Sequence, residues 1–112
     1  MTGSQPDDDI RVEVSLDDDG ALEVTAPDED PLVAEFLRTD LTGLEGMLPE
    51  LQRALAAGED LEVGGNAFDV TVHGEHVHLV NQWTDASTTV ETTRFRAVLD
   101  RYEAEVRRVR GA

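Results

Sequence analysis

The chain has 112 residues, no cysteine and a formal net charge of −16, from 25 Asp and Glu against nine basic residues, all of them arginine. That length fits one domain with a modest core, and the missing cysteine excludes disulfides, thiolate metal ligands and thiol nucleophiles. Residues 1–93 carry 22 acids and 3 arginines, a net of −19, whereas residues 94–112 carry 3 acids and 6 arginines, a net of +3.

An acidic body of this strength repels nucleic acid and anionic membranes and steers basic partners toward itself; the plainer alternative is that it serves solubility. The opening MTGSQPDDD lacks the basic and apolar regions of a signal peptide. No apolar run approaches the ~20 residues of a membrane span. A cytoplasmic protein is expected.

Residues 1–9 are polar, acidic and aperiodic, and read as a disordered tail ahead of a single α+β domain over 10–112. Ile10, Val12, Val14 and Leu16 alternate with polar residues, Asp17-Asp18-Asp19-Gly20 suits a reversal, and Leu22, Val24 and Ala26 resume the alternation. That pattern predicts a hairpin near 10–26. Asp30-Pro31 reads as an N-cap followed by proline at the first helical position. Leu32, Val33, Phe36 and Leu37 then share one face of a short helix ending near Thr39.

A second helix is predicted from Met47 to Ala57, striped by Leu48, Leu51 and Leu55 and ended by Gly58. Pro49 argues for a start close to it, which leaves 40–46 as either a separate turn or a kinked extension. Leu61 and Val63 predict a short strand broken by Gly64-Gly65-Asn66. Phe68, Val70 and Val72, then Val77, Leu79, Asn81 and Trp83, predict a second hairpin region near 61–83. In the polar stretch 84–93, Val90 could anchor one more strand, and Thr93 is placed to cap a last helix carrying Phe95, Val98, Leu99, Tyr102, Val106 and Val109. The sum is a small antiparallel β-meander with two short helices in the middle and a C-terminal helix packed on one face.

All three histidines fall within HGEHVH at 73–78. With Gly74-Glu75 as a two-residue loop, Val72 pairs with Val77, Val70 with Leu79 and Phe68 with Asn81. The other face then collects His73 opposite His76 and Thr71 opposite His78, with Asp69 further along. Opposed Cβ atoms lie about 4.5–5.5 Å apart, so His73, His76 and His78 are candidate metal ligands with a carboxylate or water completing the set. The other readings are a pH-responsive contact and a solvated polar face. No nucleophile elbow, phosphate loop or dinucleotide fingerprint occurs, so no catalytic residue and no cofactor is assigned.

In the last helix, Arg96–Asp100, Arg101–Glu105 and Glu103–Arg107 are i,i+4 pairs, and the arginines are expected to hold the helix against the acidic sheet rather than bind nucleic acid. Asn66, Asn81, Gln82 and Trp83 form a mixed polar and aromatic patch near one sheet end. Trp83 is either a core lid or a binding anchor.

The stretch from Leu44 to Tyr102 carries GGNAFDVTVHGEHVHLVNQW followed by RFRAVLDRYEAEV. It resembles the YacL-type family of small bacterial proteins, and small acidic immunity proteins encoded beside secreted or contact-dependent toxins. The resemblance to immunity proteins implies a cytoplasmic protein that binds and blocks a cognate toxin, often a basic one, and has no catalytic residues. The leading expectation is therefore a non-enzymatic binder of a basic protein partner, contacting it through Asp17, Asp18, Asp19, Asp28, Glu29, Asp30, Glu59 and Asp60, with Trp83 as anchor. The alternatives are a scaffolding domain that self-associates as a homodimer through sheet edges, and a metal protein at the histidine face.

Overall fold

The computed structural model describes residues 10–41, 44 and 46–111. The tail expected over 1–9, and positions 42, 43 and 45 of the stretch read two ways, lie outside the described residues. Among the described residues the chain runs β1 (Glu13–Leu16), β2 (Leu22–Thr25), α1 (Pro31–Thr39), α2 (Met47–Ala57), β3 (Leu61–Gly64), β4 (Phe68–His73), β5 (His76–Asn81), β6 (Ser87–Glu91) and α3 (Thr92–Arg110). This is the α+β arrangement that the periodicity predicts. The strands form two antiparallel sheets, β1-β2 and β3-β4-β5-β6.

In the first hairpin Val14 faces Val24 and Leu16 faces Leu22. The Asp17 carboxylate closes the turn by accepting the Asp19 and Ala21 N–H groups at 2.8 and 2.9 Å, and Gly20 takes the left-handed conformation at φ +83°. Ile10, Val12, Val14, Val24 and Ala26 are buried, but Leu16 runs past the core and is 43% exposed. β1 lies against α3 and β2 against α1.

The signals for α1 and α2 act as predicted. The Asp30 side chain accepts the Leu32 N–H at 2.9 Å with Pro31 behind it. Gly58, at φ +69°, ends α2 by donating its N–H to the Ala54 and Leu55 carbonyls. Phe36 of α1 meets Phe68 of β4 edge-on, with ring centroids 5.9 Å apart, and Phe95 of α3 at the same 5.9 Å. That triad joins helices to sheet at the centre of the core and adds to simple area burial.

In the four-stranded sheet the β4–β5 register pairs Phe68 with Asn81, Val70 with Leu79, Val72 with Val77 and His73 with His76, as the alternation requires. Phe68, Val70, Val72, Val77 and Leu79 are buried beneath the helices, and the opposite face is open to solvent. The 84–93 stretch supplies β6, with Val90 half-buried. α3 starts at Thr92, one residue before the expected Thr93 cap. The Thr92 N–H is bonded to the Glu75 carbonyl at 2.8 Å, so the β-ladder hands over directly to the helix and Thr93 has no cap to make.

Of the three predicted pairs on α3, only Glu103–Arg107 forms, at 2.8 Å, and Arg108 instead reaches Glu105. Gln52 of α2 takes Asp100 and Glu103 as acceptors at 3.2 and 3.0 Å. This bond from Gln52, followed by Arg107, holds the Glu103 carboxyl below its ordinary range. Arg108 donates to the Val14 carbonyl at 3.4 Å, so the basic end of α3 holds the small hairpin rather than the large sheet.

Candidate partner-binding surface

The acidic turns divide into carboxylates bonded within the chain and carboxylates that are not. Asp28 forms a two-bond pair with Arg11, at 2.8 and 3.3 Å. The bond from Arg11 holds the Asp28 carboxyl below its ordinary range, and the Arg11 guanidinium is raised in turn. The Glu29 side chain is only 5% exposed and is gripped by Arg94 at the start of α3. Asp30 caps α1 and accepts the Thr88 hydroxyl at 3.0 Å. Asp17 is spent on its own turn.

Four of the eight acids predicted to touch a partner thus have carboxylates engaged within the chain, although only Glu29 is withdrawn from the surface. A fifth, Asp60, holds His73 at 3.0 Å on the surface. Asp18, Asp19 and Glu59 are exposed, and their carboxylates make no hydrogen bond or ion pair among the described residues.

Two buried polar residues organise the far end of the sheet. Asp40, 9% exposed, follows α1 and accepts the Ala67 N–H at 3.2 Å and the Phe68 N–H at 3.1 Å, with the Thr39 hydroxyl at 2.6 Å. A Cβ on Gly65 would stand 2.0 Å from Asp40 Oδ2. The loop fits over the carboxylate only because that position is glycine. Asn81, 3% exposed, accepts the Trp83 and Thr84 N–H groups at 2.9 and 3.0 Å and donates to Glu35 at 3.4 Å. Gln82 straps the turn to the β3–β4 loop, donating to the Gly65 carbonyl at 3.3 Å and to Asp69 at 3.0 Å.

The strand therefore stops at Asn81, and the turn throws Trp83 out of the core row. Trp83 is 77% exposed. It is not a core lid. Its backbone is nonetheless fixed by Asn81 and by the bond from the Asp85 N–H to the Asn81 carbonyl at 2.9 Å. The patch of Asn66, Gln82 and Trp83 does assemble at one sheet end, with Asn66 tied to the Thr39 carbonyl at 3.3 Å, while Asn81 lies beneath it as support. Sequence reasoning missed Asp40 and Gly65 because their link spans the whole of α2 and leaves no local signature.

On the open face His73 and His76 stand opposite each other, and Glu91 stands opposite His76. His78 bonds to the Thr89 hydroxyl at 3.0 Å. Among the described residues no three His, Asp or Glu side chains converge on a position that could hold a metal ion. The histidines are set in a row of polar cross-strand partners rather than around a point.

Between Arg53 and Arg94 the chain has no arginine or lysine. The large sheet is therefore anionic except at its histidines. β3 carries Glu59 and Asp60 just before its first residue, and its last residues lie beside the Trp83 turn through Gln82. Glu59, Asp60, Glu62, Asp69 and Trp83 thus border one strand, whereas Asp17–Asp19 belong to the separate small hairpin. Among the described residues no helix is long and apolar enough to cross a membrane. Comparison with protein-family models, with curated proteins and with solved structures returned no match.

Proposed function

We propose that this chain is a non-enzymatic binding protein of the immunity type, acting in the cytoplasm to block a basic protein partner, in the simplest case a cognate toxin. The observation that carries this reading is Trp83, 77% exposed on a turn whose backbone is pinned by a buried asparagine. An aromatic anchor already held in place loses little conformational freedom on docking. Burying on the order of 150 Å² of it, at about 25 cal/mol per Å², contributes about 4 kcal/mol before the costs of association.

The carboxylates around it have no arginine or lysine neighbour in the sheet. They raise the association rate for a cationic partner more than they raise final affinity. The two buried polar residues, Asp40 and Asn81, are both occupied in holding loops, which leaves them with structural rather than chemical roles. The resemblance to small acidic immunity proteins points the same way.

The test is genetic. Each open reading frame flanking the gene is expressed alone and together with this chain. The proposal expects one frame to arrest growth alone, to be harmless with the intact chain, and to regain toxicity when Trp83→Ala replaces it. If no flanking frame is toxic, or the toxic one is not rescued, the immunity reading is wrong.

A further inference from the structure

Antiparallel ladders alternate between pairs that exchange backbone hydrogen bonds and pairs whose N–H and C=O groups point away from each other. The Gly65 N–H bonds to the Phe68 carbonyl at 2.8 Å. Counting back along the register, Val63 with Val70 and Leu61 with Val72 are bonded pairs, while Glu62 with Thr71 and Gly64 with Asp69 are not. Glu62 and Gly64 therefore turn their backbone donors and acceptors outward. Both residues are exposed, and among the described residues neither set of outward groups has a partner. β3 is an unpaired edge.

Two shallow hollows, about 320 and 520 Å³, adjoin this strand and share Glu62 and Thr71 in their walls. Glu62 points to the open face, with Asp60 before it on the edge and Asp69 of β4 beside Gly64. Leu61 and Val63 point to the other face, where they are half-buried against the core. An incoming strand would meet carboxylates on one face and apolar side chains on the other. The Trp83 turn stands at the Gly64 end, tied there by Gln82.

We infer that β3 is an acceptor edge for an extended segment of the partner, alternately basic and apolar, which adds to the sheet as an antiparallel fifth strand. Main-chain bonds to Glu62 and Gly64 supply affinity, and alternate side chains supply specificity. The inference rests on the reading of a basic partner. A second copy of this chain fits the edge poorly, because two bodies of net charge −16 repel at the distances where docking begins. The β6 edge is lined instead by Ser87, Thr89 and Glu91, without the run of carboxylates.

The geometry makes a specific demand on the incoming strand. A residue directly opposite Glu62 shares its face and exchanges both backbone bonds with it. In an alternating arginine–valine strand, arginine takes that place, so the arginine N–H groups face β3 and the valine N–H groups face solvent.

The test uses three capped peptides of that sequence, titrated against the full chain by fluorescence anisotropy: unmodified, N-methylated on the arginines, and N-methylated on the valines. Charge is the same in all three, and with equal numbers of arginine and valine the two methylated peptides have the same composition. The expected result is at least about a tenfold loss of affinity for the arginine-methylated peptide only, since buried main-chain bonds are left unmade. Glu62→Pro removes an outward donor without breaking the β3–β4 ladder, and should weaken the unmodified peptide well beyond Glu62→Gln, which removes the carboxylate alone. Equal binding of all three peptides, or none, overturns the inference. Toxin rescue is scored separately, so peptide discrimination without rescue supports the edge and refutes the immunity role.

Discussion

Replacing Asp40 tests the account of how the Trp83 end of the sheet is built. Asp40→Ala removes a carboxylate that accepts the Ala67 and Phe68 N–H groups and stands beside the Thr39 hydroxyl. Hydrogen bonds to a charged group contribute about 1.5–3 kcal/mol each, and a buried N–H left alone costs about 1–3 kcal/mol. Relief of the buried charge offsets part of this, leaving a net loss of about 3 kcal/mol. For a domain of this size that lowers Tm by roughly 12 °C or more. Gly65→Ala is damaging for the complementary reason, since its Cβ would lie 2.0 Å from Asp40 Oδ2.

The two effects must therefore couple. Gly65→Ala should cost about 2 kcal/mol or more in the wild-type background and under about 1 kcal/mol when Asp40 is already alanine, a double-mutant interaction well above the additive error. Urea unfolding of the four proteins measures it. Additive losses, or an Asp40→Ala cost below about 1 kcal/mol, would refute the role assigned to Asp40.

Three further outcomes follow from the same contacts. Arg94→Ala leaves the nearly enclosed Glu29 carboxylate without its cation, and should cost about 2 kcal/mol in urea unfolding, a loss much larger than that of an exposed pair. Glu103 has its carboxyl held low by Gln52 and Arg107; the wild type should exceed Glu103→Gln by about 0.5 kcal/mol above pH ~5, and that margin should vanish as pH falls through the lowered carboxyl range. Added zinc or a chelator should leave Tm unchanged in both the wild type and His73→Ala/His76→Ala, and a zinc-dependent rise abolished by that pair would restore the metal reading.

Much of this fold is written in short-range pattern. Period-two alternation set the β4–β5 register residue for residue, because a slip of one position would bury Asp69 and His78 and expose Val70 and Leu79. Asp30-Pro31 and Gly58 fixed helix ends through groups that lie within a turn of each other. The site was less legible because its determinants are distant pairs. Whether a turn carboxylate faces a partner or an arginine depends on where Arg11 and Arg94 land, and nothing near Asp28 or Glu29 in the chain reports that. The exposure of Trp83 has the same origin: alternation extends it into the core row, and only the side chain of Asn81, bonding forward to two N–H groups, ends the strand first.

The most direct measurement uses Trp83 as its own reporter, since it is the chain's only tryptophan. The chain is labelled with fluorotryptophan and titrated with the basic protein that it rescues cells from, while the fluorine resonance is followed. The account predicts that the resonance leaves its solvent-exposed position and saturates with the complex, as a ring passing from water into a packed interface must. A complex that forms fully while the resonance stays at the exposed position would show that the partner binds elsewhere, and would contradict the surface proposed for this protein.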